Sequence, residues 1–279
     1  MNFDLDEFLK YAIAEDVGDG DHTSLSTIPS DAKGRARLLV KDQGIIAGID
    51  IAKRVFELID SEIKFEQVLN DGDQVKFGDV AFYVEGRSQS IVTAERLALN
   101  IMQRMSGIAT QTHKMVQLME GTKCKLLDTR KTTPGFRYFE KLAVKLGGGV
   151  NHRIGLYDMI LVKDNHIDYA GGVHEALHLI KNYLKEKNKD LKIEVEARSL
   201  EDVKLILKEK IAFRILLDNF TPEQIKEAVD FINGEVETEA SGGINETNLR
   251  AYAEAGVDYI SMGALTHQIK SLDLSLKAV

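Results

Sequence analysis

Arg130 and Lys131 follow the short apolar run Leu126-Leu127 and precede Thr132-Thr133-Pro134-Gly135, so two cations stand where a strand hands over to a turn. Further along, Lys163-Asp164-Asn165-His166, Glu196, Asp218-Asn219, Ser241-Gly242-Gly243 and Gly263 each close another apolar run. Arg130, Lys131, Lys163 and the pair His152-Arg153 supply up to five positive groups, enough for a ligand with several carboxylates or phosphates. Arginine in particular suits bidentate recognition of a carboxylate. Glu196 and Asp218 can hold a hard divalent ion, and acids inside a cationic site fit magnesium-bound pyrophosphate best. Ser241-Gly242-Gly243, read as leading straight into a helix, offers bare backbone N–H groups and a positive dipole end to a phosphate. One strand ending in Lys or Asp is unremarkable, because loops at strand ends are polar anyway; six in succession point to a shared site. His152 can act as a general base, but no partner is assignable from sequence, so a carboxylate-binding role is preferred. His22, His113, His174 and His178 are read as structural.

Those endings need elements that bring them together. The apolar runs at 126–128, 159–163, 193–196, 215–218, 236–241 and 259–263 alternate with helical patterns, which is a βα repeat. Between them, Val173, Ala176, Leu177, Ile180 and Leu184 make one helix face, Ser199 with Asp202 resembles a cap, and Thr221-Pro222-Glu223-Gln224 is a capping box with proline at the first helical position. Asn245 is expected to cap the last helix and Gly256 to end it. Late in the chain one strand end follows another after 22 or 23 residues, the length of a minimal βα unit. A closed or nearly closed parallel barrel accommodates this best, a doubly wound open sheet second, and the carboxyl ends of barrel strands share one face.

The first third reads differently. Residues 4–14 form a short amphipathic helix, Glu15 to Asp21 a turn rather than a calcium loop, and residues 32–86 a β-rich stretch with a helix near 51–59, which fits a small α/β sandwich. Helical spacing then predicts Ser90–Met105, with Arg96 and Arg104 close to two turns apart.

With 279 residues the chain can bury a large core, and its formal charge of −8 argues against a surface that coats nucleic acid, so any anionic ligand must be met by local cations. One cysteine, Cys124, excludes an internal disulfide and points to a reducing compartment, the cytoplasm. No apolar run is long enough for a membrane span and no signal peptide is evident, so neither membrane nor nucleic acid is an expected partner.

Taken in order, Glu15-Asp16-Val17-Gly18-Asp19-Gly20-Asp21, Glu95-Arg96 with Leu99-Asn100, Ser106-Gly107-Ile108-Ala109-Thr110, Thr129 to Gly135, Asn151-His152-Arg153, Val162 to His166, Glu194-Val195-Glu196, Leu217-Asp218-Asn219 and Ala240 to Ile244 resemble the quinolinate phosphoribosyltransferases over nearly the whole chain. The resemblance implies an α/β protein: an N-terminal α/β sandwich over 1–110, joined by the C-terminal tail 269–279, and an incomplete parallel α/β barrel over 111–268. It also implies a homodimer with shared active sites. Quinolinate would be held by Arg130, His152, Arg153, Lys163 and the partner subunit's Arg96, with Lys131 and Lys163 in catalytic positions beside both substrates. Glu196 and Asp218 would serve Mg2+, directly or through water, and the ribose of phosphoribosyl pyrophosphate. Lys131, Ser241, Gly242, Gly243, Gly263 and His267 would meet the phosphates. Two alternatives stand beside this reading: a phosphoribosyltransferase of the same fold with another acceptor, as in molybdenum-operon proteins, and a non-catalytic sensor of a phosphorylated anion.

Overall fold

The structure, a computed structural model, describes residues 3–279. By its packing the chain divides into two units: one comprises the chain up to His113, Thr133–Gly148 and Leu265–Val279, the other Lys114–Thr132 and Gly149–Ala264. The resemblance implies a barrel over 111–268; by packing, the segment Thr133–Gly148 groups with the first unit.

In the first unit the strands are β1 (Lys33–Val40), β2 (Gly44–Ile45), β3 (Lys64–Gln67), β4 (Gln74–Val75) and β5 (Val80–Arg87), with the C-terminal strand Leu274–Ala278. An antiparallel sheet runs in the order C-terminal strand, β1, β5, β3, and β2 pairs with β4. Alternation in β1 buries Ala36, Leu38 and Val40 on one face, and the register sets Leu38 opposite Phe82 and Ala36 opposite Val84. Phe82 lies 4.4 Å from Phe65 and 6.1 Å from Phe56 between ring centroids, tying the sheet to the helix Ile49–Ile59.

Helical spacing predicts Ser90–Met105, but the helix runs Ser88–Leu118. Gly107 is the reason to expect an earlier end, since glycine in a helix costs about 1 kcal/mol against alanine. Here that glycine is needed for closeness: a Cβ at Gly107 would overlap the Lys270 carbonyl oxygen and sit 3.0 Å from Ser271 Cα. Ser106 and Thr110, one turn apart, donate to the carbonyls of Ala47 and Ile45 and accept the N–H groups of the same residues. Likewise the opening helix continues to Val17 before Gly18 ends it, and Asp21 caps the next, His22–Thr27, so the acidic stretch is a helix end and a cap.

The second unit holds β6 (Lys125–Leu127), β7 (Ile160–Val162), β8 (Ile193–Ala197), β9 (Arg214–Asp218), β10 (Glu237–Ser241) and β11 (Tyr259–Ser261), all parallel and in the order β6, β11, β10, β9, β8, β7. First and last strand pair, so the sheet curls into a barrel left open between β6 and β7. Val150 bridges to Leu127 along the free edge of β6, with its N–H donating to the Leu126 carbonyl at 2.8 Å. The predicted caps at Ser199 and Thr221 form, and the capping box closes with Gln224. At the last helix, Leu249–Glu254, Asn248 rather than Asn245 takes the N-cap position, because Asn245 folds into a local turn that accepts from Thr247. Gly256, at φ +93°, follows its end as expected. Among the described residues no helix is long and apolar enough to cross a membrane.

Asp60, just past the helix Ile49–Ile59, is 2 % exposed and accepts from Arg87 Nε at 2.8 Å. This bond holds its carboxyl down to about 2, against the opposing effect of burial. A carboxylate held below its unfolded value stabilises the fold above about pH 4 and loses that contribution as the pH falls toward 2. Asp60→Asn is therefore expected to cost about 1–2 kcal/mol at pH 7, after allowance for the half-exposed arginine. In urea titrations at pH 7 and pH 2.5 the gap from the parent should shrink at the lower pH; a gap independent of pH would dismiss the pair as a source of stability.

Candidate active site

Alternate residues of a strand face one way, and on the inner face of this barrel they are charged where aliphatic side chains usually fill the space. Glu194 and Glu196 on β8, Arg214 and Asp218 on β9, and Glu237, Glu239 and Ser241 on β10 follow this period of two. They sort into two levels, one deep and one at the carboxyl ends.

At the deep level Glu194 and Glu239 are 0 % exposed. Arg214 Nη1 lies 3.0 Å from Glu239 Oε2 and 3.9 Å from Glu194 Oε2, while its Nη2 reaches Glu237 at 2.8 Å. From the other side comes His152, whose Nε2 stands 3.0 Å from Glu194 Oε2 and 3.4 Å from Glu239 Oε2. His152 Nδ1 accepts the Arg153 N–H at 2.7 Å, and the His152 N–H donates to the buried Asp128 carboxylate at 2.8 Å. Burial opposes charge on the ring, yet the two glutamates override it and push His152 up to about 9. That tendency conflicts with the bond at Nδ1, since an imidazolium would set N–H against N–H at 2.7 Å. The ring is therefore neutral with its hydrogen on Nε2; burial, and then Glu239, raise the Glu194 carboxyl, while the ring hydrogen and Arg214 oppose that shift. His152, Glu194 and Glu239 also present three ligand atoms within 4.8 Å of one another, the makings of a metal site, but Arg214 already supplies the cation there.

At the mouth the charges separate by sign. Arg153, held by a bond from Nη1 to the Met159 carbonyl at 3.1 Å, is disfavoured as a cation first by burial and then by the charge of Arg130. The loop behind Arg153 is pinned by Asp158, which accepts from the N–H groups of Ile154 and Gly155 at 2.7 and 2.8 Å. Arg130 and Lys131 leave β6 in a turn held by Thr129, whose hydroxyl accepts the Lys131 N–H at 3.0 Å. Across the mouth, Glu196 is raised by burial and then by Asp218, so two carboxylates repel each other there. Lys163 Nζ lies 4.0 Å from Glu196 Oε2, and the Asp164 N–H donates to Glu196 Oε1 at 3.2 Å.

The glycine corner departs from expectation in one respect. No helix follows Gly243 directly; the next begins at Leu249 and spans six residues, so the dipole argument for a phosphate falls away. What remains is backbone shape, with Gly242 at φ +96° and Gly243 at φ +64°. A Cβ on Gly242 would overlap the Asn219 side chain and stand 2.9 Å from its backbone nitrogen, whereas one on Gly243 would meet nothing within 4 Å.

The barrel unit thus carries Arg130, Lys131, His152, Arg153, Lys163, Glu196, Asp218, Ser241, Gly242, Gly243 and Gly263. Arg96, exposed on the helix Ser88–Leu118, and His267, exposed at the end of the short helix Ala264–His267, belong to the first unit. His22, His113, His174 and His178 take the partners Asp19, Gln74, Glu209 and Asn182. Sequence reasoning assigns no role to Asp128, Glu194, Glu239, Arg214 or Asp158. A signal is present for two of them: Glu194-Val195-Glu196 and Glu237-Thr238-Glu239 put acids at every second position of strands buried on both faces.

Gly242→Ala is expected to destabilise by about 2–4 kcal/mol, from a left-handed backbone plus overlap with Asn219, and Gly243→Ala by only about 1 kcal/mol from the backbone alone. Denaturant titration checks the ranking, and equal losses would refute the close approach at Gly242.

The quinolinate phosphoribosyl transferase N-terminal and C-terminal domain families match residues 21–106 and 108–277. A chloroplastic nicotinate-nucleotide pyrophosphorylase [carboxylating] of Arabidopsis thaliana is 45% identical over 290 residues, which span 99% of this chain and 83% of that one. A probable nicotinate-nucleotide pyrophosphorylase [carboxylating] of Bacillus subtilis is 40% identical over 275 residues, 98% and 92% of the two chains. The solved nicotinate-nucleotide pyrophosphorylase of Francisella tularensis superposes with a TM-score of 0.92 at 39% identity, covering 99% of this chain and 96% of that one. With both domain matches in sequence order and relatives aligned along almost its full length, the chain belongs to the quinolinate phosphoribosyl transferase family.

Proposed function

We propose that this chain transfers the phosphoribosyl group of phosphoribosyl pyrophosphate to quinolinate and releases carbon dioxide, giving nicotinate mononucleotide and pyrophosphate for NAD synthesis. The observation that carries the reading is the gathering of like charges at the barrel mouth: Arg130 disfavours charge on Arg153, and Asp218 disfavours charge on Glu196. Two guanidiniums driven together suit a ligand with adjacent carboxylates, and two carboxylates driven together suit a divalent cation. Glu196 and Asp218 fit magnesium, which takes few protein oxygens and keeps water and phosphate for the rest. Bound there with pyrophosphate, magnesium neutralises the charge of the leaving group.

The chain's own groups then divide the work. Arg130 and Arg153 hold the acceptor's carboxylates, and Lys163 stands between acceptor and Glu196. The partner subunit's Arg96 completes the clamp in a homodimer, a role its exposed position leaves open to it. Lys131 and the backbone at Ser241, Gly242, Gly243 and Gly263 meet the phosphates. As the ring nitrogen bonds to C1 of the ribose, pyrophosphate departs with the electron pair. The nitrogen is then cationic and draws the pair from the bond to the neighbouring carboxylate; carbon dioxide leaves, and that carbon takes up a proton. We place this chemistry in the cytoplasm. The single Cys124 is buried, and burial pushes its thiol up to about 12, which keeps it out of the reaction.

With magnesium, phosphoribosyl pyrophosphate and quinolinate, the purified protein is expected to release carbon dioxide as quinolinate disappears, and to leave nicotinate untouched. Arg130→Ala and Arg153→Ala should each lower kcat/KM by roughly a hundredfold or more with normal melting, as the loss of an orienting clamp implies. Nicotinate turnover, or full activity in either variant, would defeat this assignment. Mixing Arg96→Ala with Lys163→Ala protein should restore activity that neither has alone, and a mixture as inactive as its parts would remove Arg96 from a neighbour's site.

A further inference from the structure

His152, a member of the sequence-derived clamp, has its ring nitrogens engaged by the protein rather than free for a ligand. Its side chain is 7% exposed, Nδ1 accepts the Arg153 N–H at 2.7 Å, and Nε2 stands between the Glu194 and Glu239 carboxylates at 3.0 and 3.4 Å. A neutral imidazole has one donor and one acceptor, and both are engaged by the protein.

The same dipeptide is held on three further sides. The His152 N–H donates to Asp128 at 2.8 Å, Arg153 Nη1 donates to the Met159 carbonyl at 3.1 Å, and Asp158 ties down the next two N–H groups at 2.7 and 2.8 Å. Every bond bears on where the Arg153 backbone sits and how its side chain leaves it. Glu194 is fully buried and faces His152 Nε2 at 3.0 Å and, more distantly, Arg214 at 3.9 Å, so the ring is its nearest source of a hydrogen.

We propose that His152 serves acceptor recognition at one remove: wedged between Glu194, Glu239 and the Arg153 peptide, it fixes the backbone from which the Arg153 guanidinium reaches a carboxylate. Glu194 and Glu239 are then positioning residues, holding the ring by its Nε2 hydrogen so that the Nδ1 lone pair points at Arg153. The identity of the acceptor rests on the function proposed above; the geometry of the ring does not.

Three substitutions separate the two ring nitrogens. In His152→Asn the side-chain oxygen falls where Nδ1 stands and can still accept the Arg153 N–H. His152→Gln carries an amide to the position of Nε2, keeping the glutamates company but leaving Arg153 without its acceptor. His152→Ala removes both. With quinolinate as the varied substrate, His152→Gln and His152→Ala should raise KM about tenfold or more, His152→Asn should stay within about threefold of the parent, and KM for phosphoribosyl pyrophosphate should hold within about twofold throughout. Nitrogen-15 spectra of the parent's His152 ring, recorded without ligand, should show the hydrogen on Nε2 and a lone pair on Nδ1 at pH 7. An asparagine variant as impaired as alanine, an unaffected glutamine variant, or a hydrogen on Nδ1 would each overturn the proposal. Failure of the parent to use quinolinate would instead count against the function, and the ring spectrum would decide the positioning role on its own.

Discussion

Two glutamates deep in a parallel barrel must be neutralised or the strands that carry them cannot stay together. Glu194 and Glu239 sit on β8 and β10 with β9 between them, and Arg214 on β9 lies 3.9 Å from the first and 3.0 Å from the second. His152 completes the set from the segment between the helix Arg137–Leu146 and β7. An ionised carboxylate left alone in such surroundings costs several kcal/mol, about as much as the whole stability margin of many domains. The arrangement therefore fixes β8, β9 and β10 relative to one another and draws the His152-Arg153 dipeptide into the open seam of the barrel.

That constraint explains the mouth. Above the balanced layer, Glu196 and Asp218 extend the same two strands, and Arg153 extends the same loop, so the groups disfavoured by burial and a like-charged neighbour lie further along each element. On the proposed function, a ligand carrying carboxylates and a cation carrying phosphates would supply the opposite charges, so that binding would also align the substrates.

Much of this is legible in the amino-acid sequence. Each of the six barrel strands announces itself as an apolar run closed by a polar group, and the late spacing of 22 and 23 residues leaves room for little but a helix between strands. Capping residues at Ser199 and Thr221 are local chemistry and can be read locally. What escapes depends on distant chain. Gly107 looks like a helix end until Lys270 and Ser271 are seen lying against it, and Thr133–Gly148 looks like part of the barrel until its packing is known. The buried acids are easily passed over because a charged residue in a strand reads as a solvated face; only the pairing of β8 with β9 and β9 with β10 shows that Arg214 waits between them.

The balance of charge under the mouth is best tested by a double-mutant cycle between Arg214 and Glu239, read by chemical denaturation. Arg214→Met alone is expected to cost about 3–5 kcal/mol, because it strands two carboxylates. Adding Glu239→Gln should recover at least about 2 kcal/mol of that loss, since the second change removes one of the charges the first left exposed to a low dielectric. Losses that simply add, to within about 0.5 kcal/mol, would mean that the two groups do not depend on each other, and the account of the barrel's interior would fail with them.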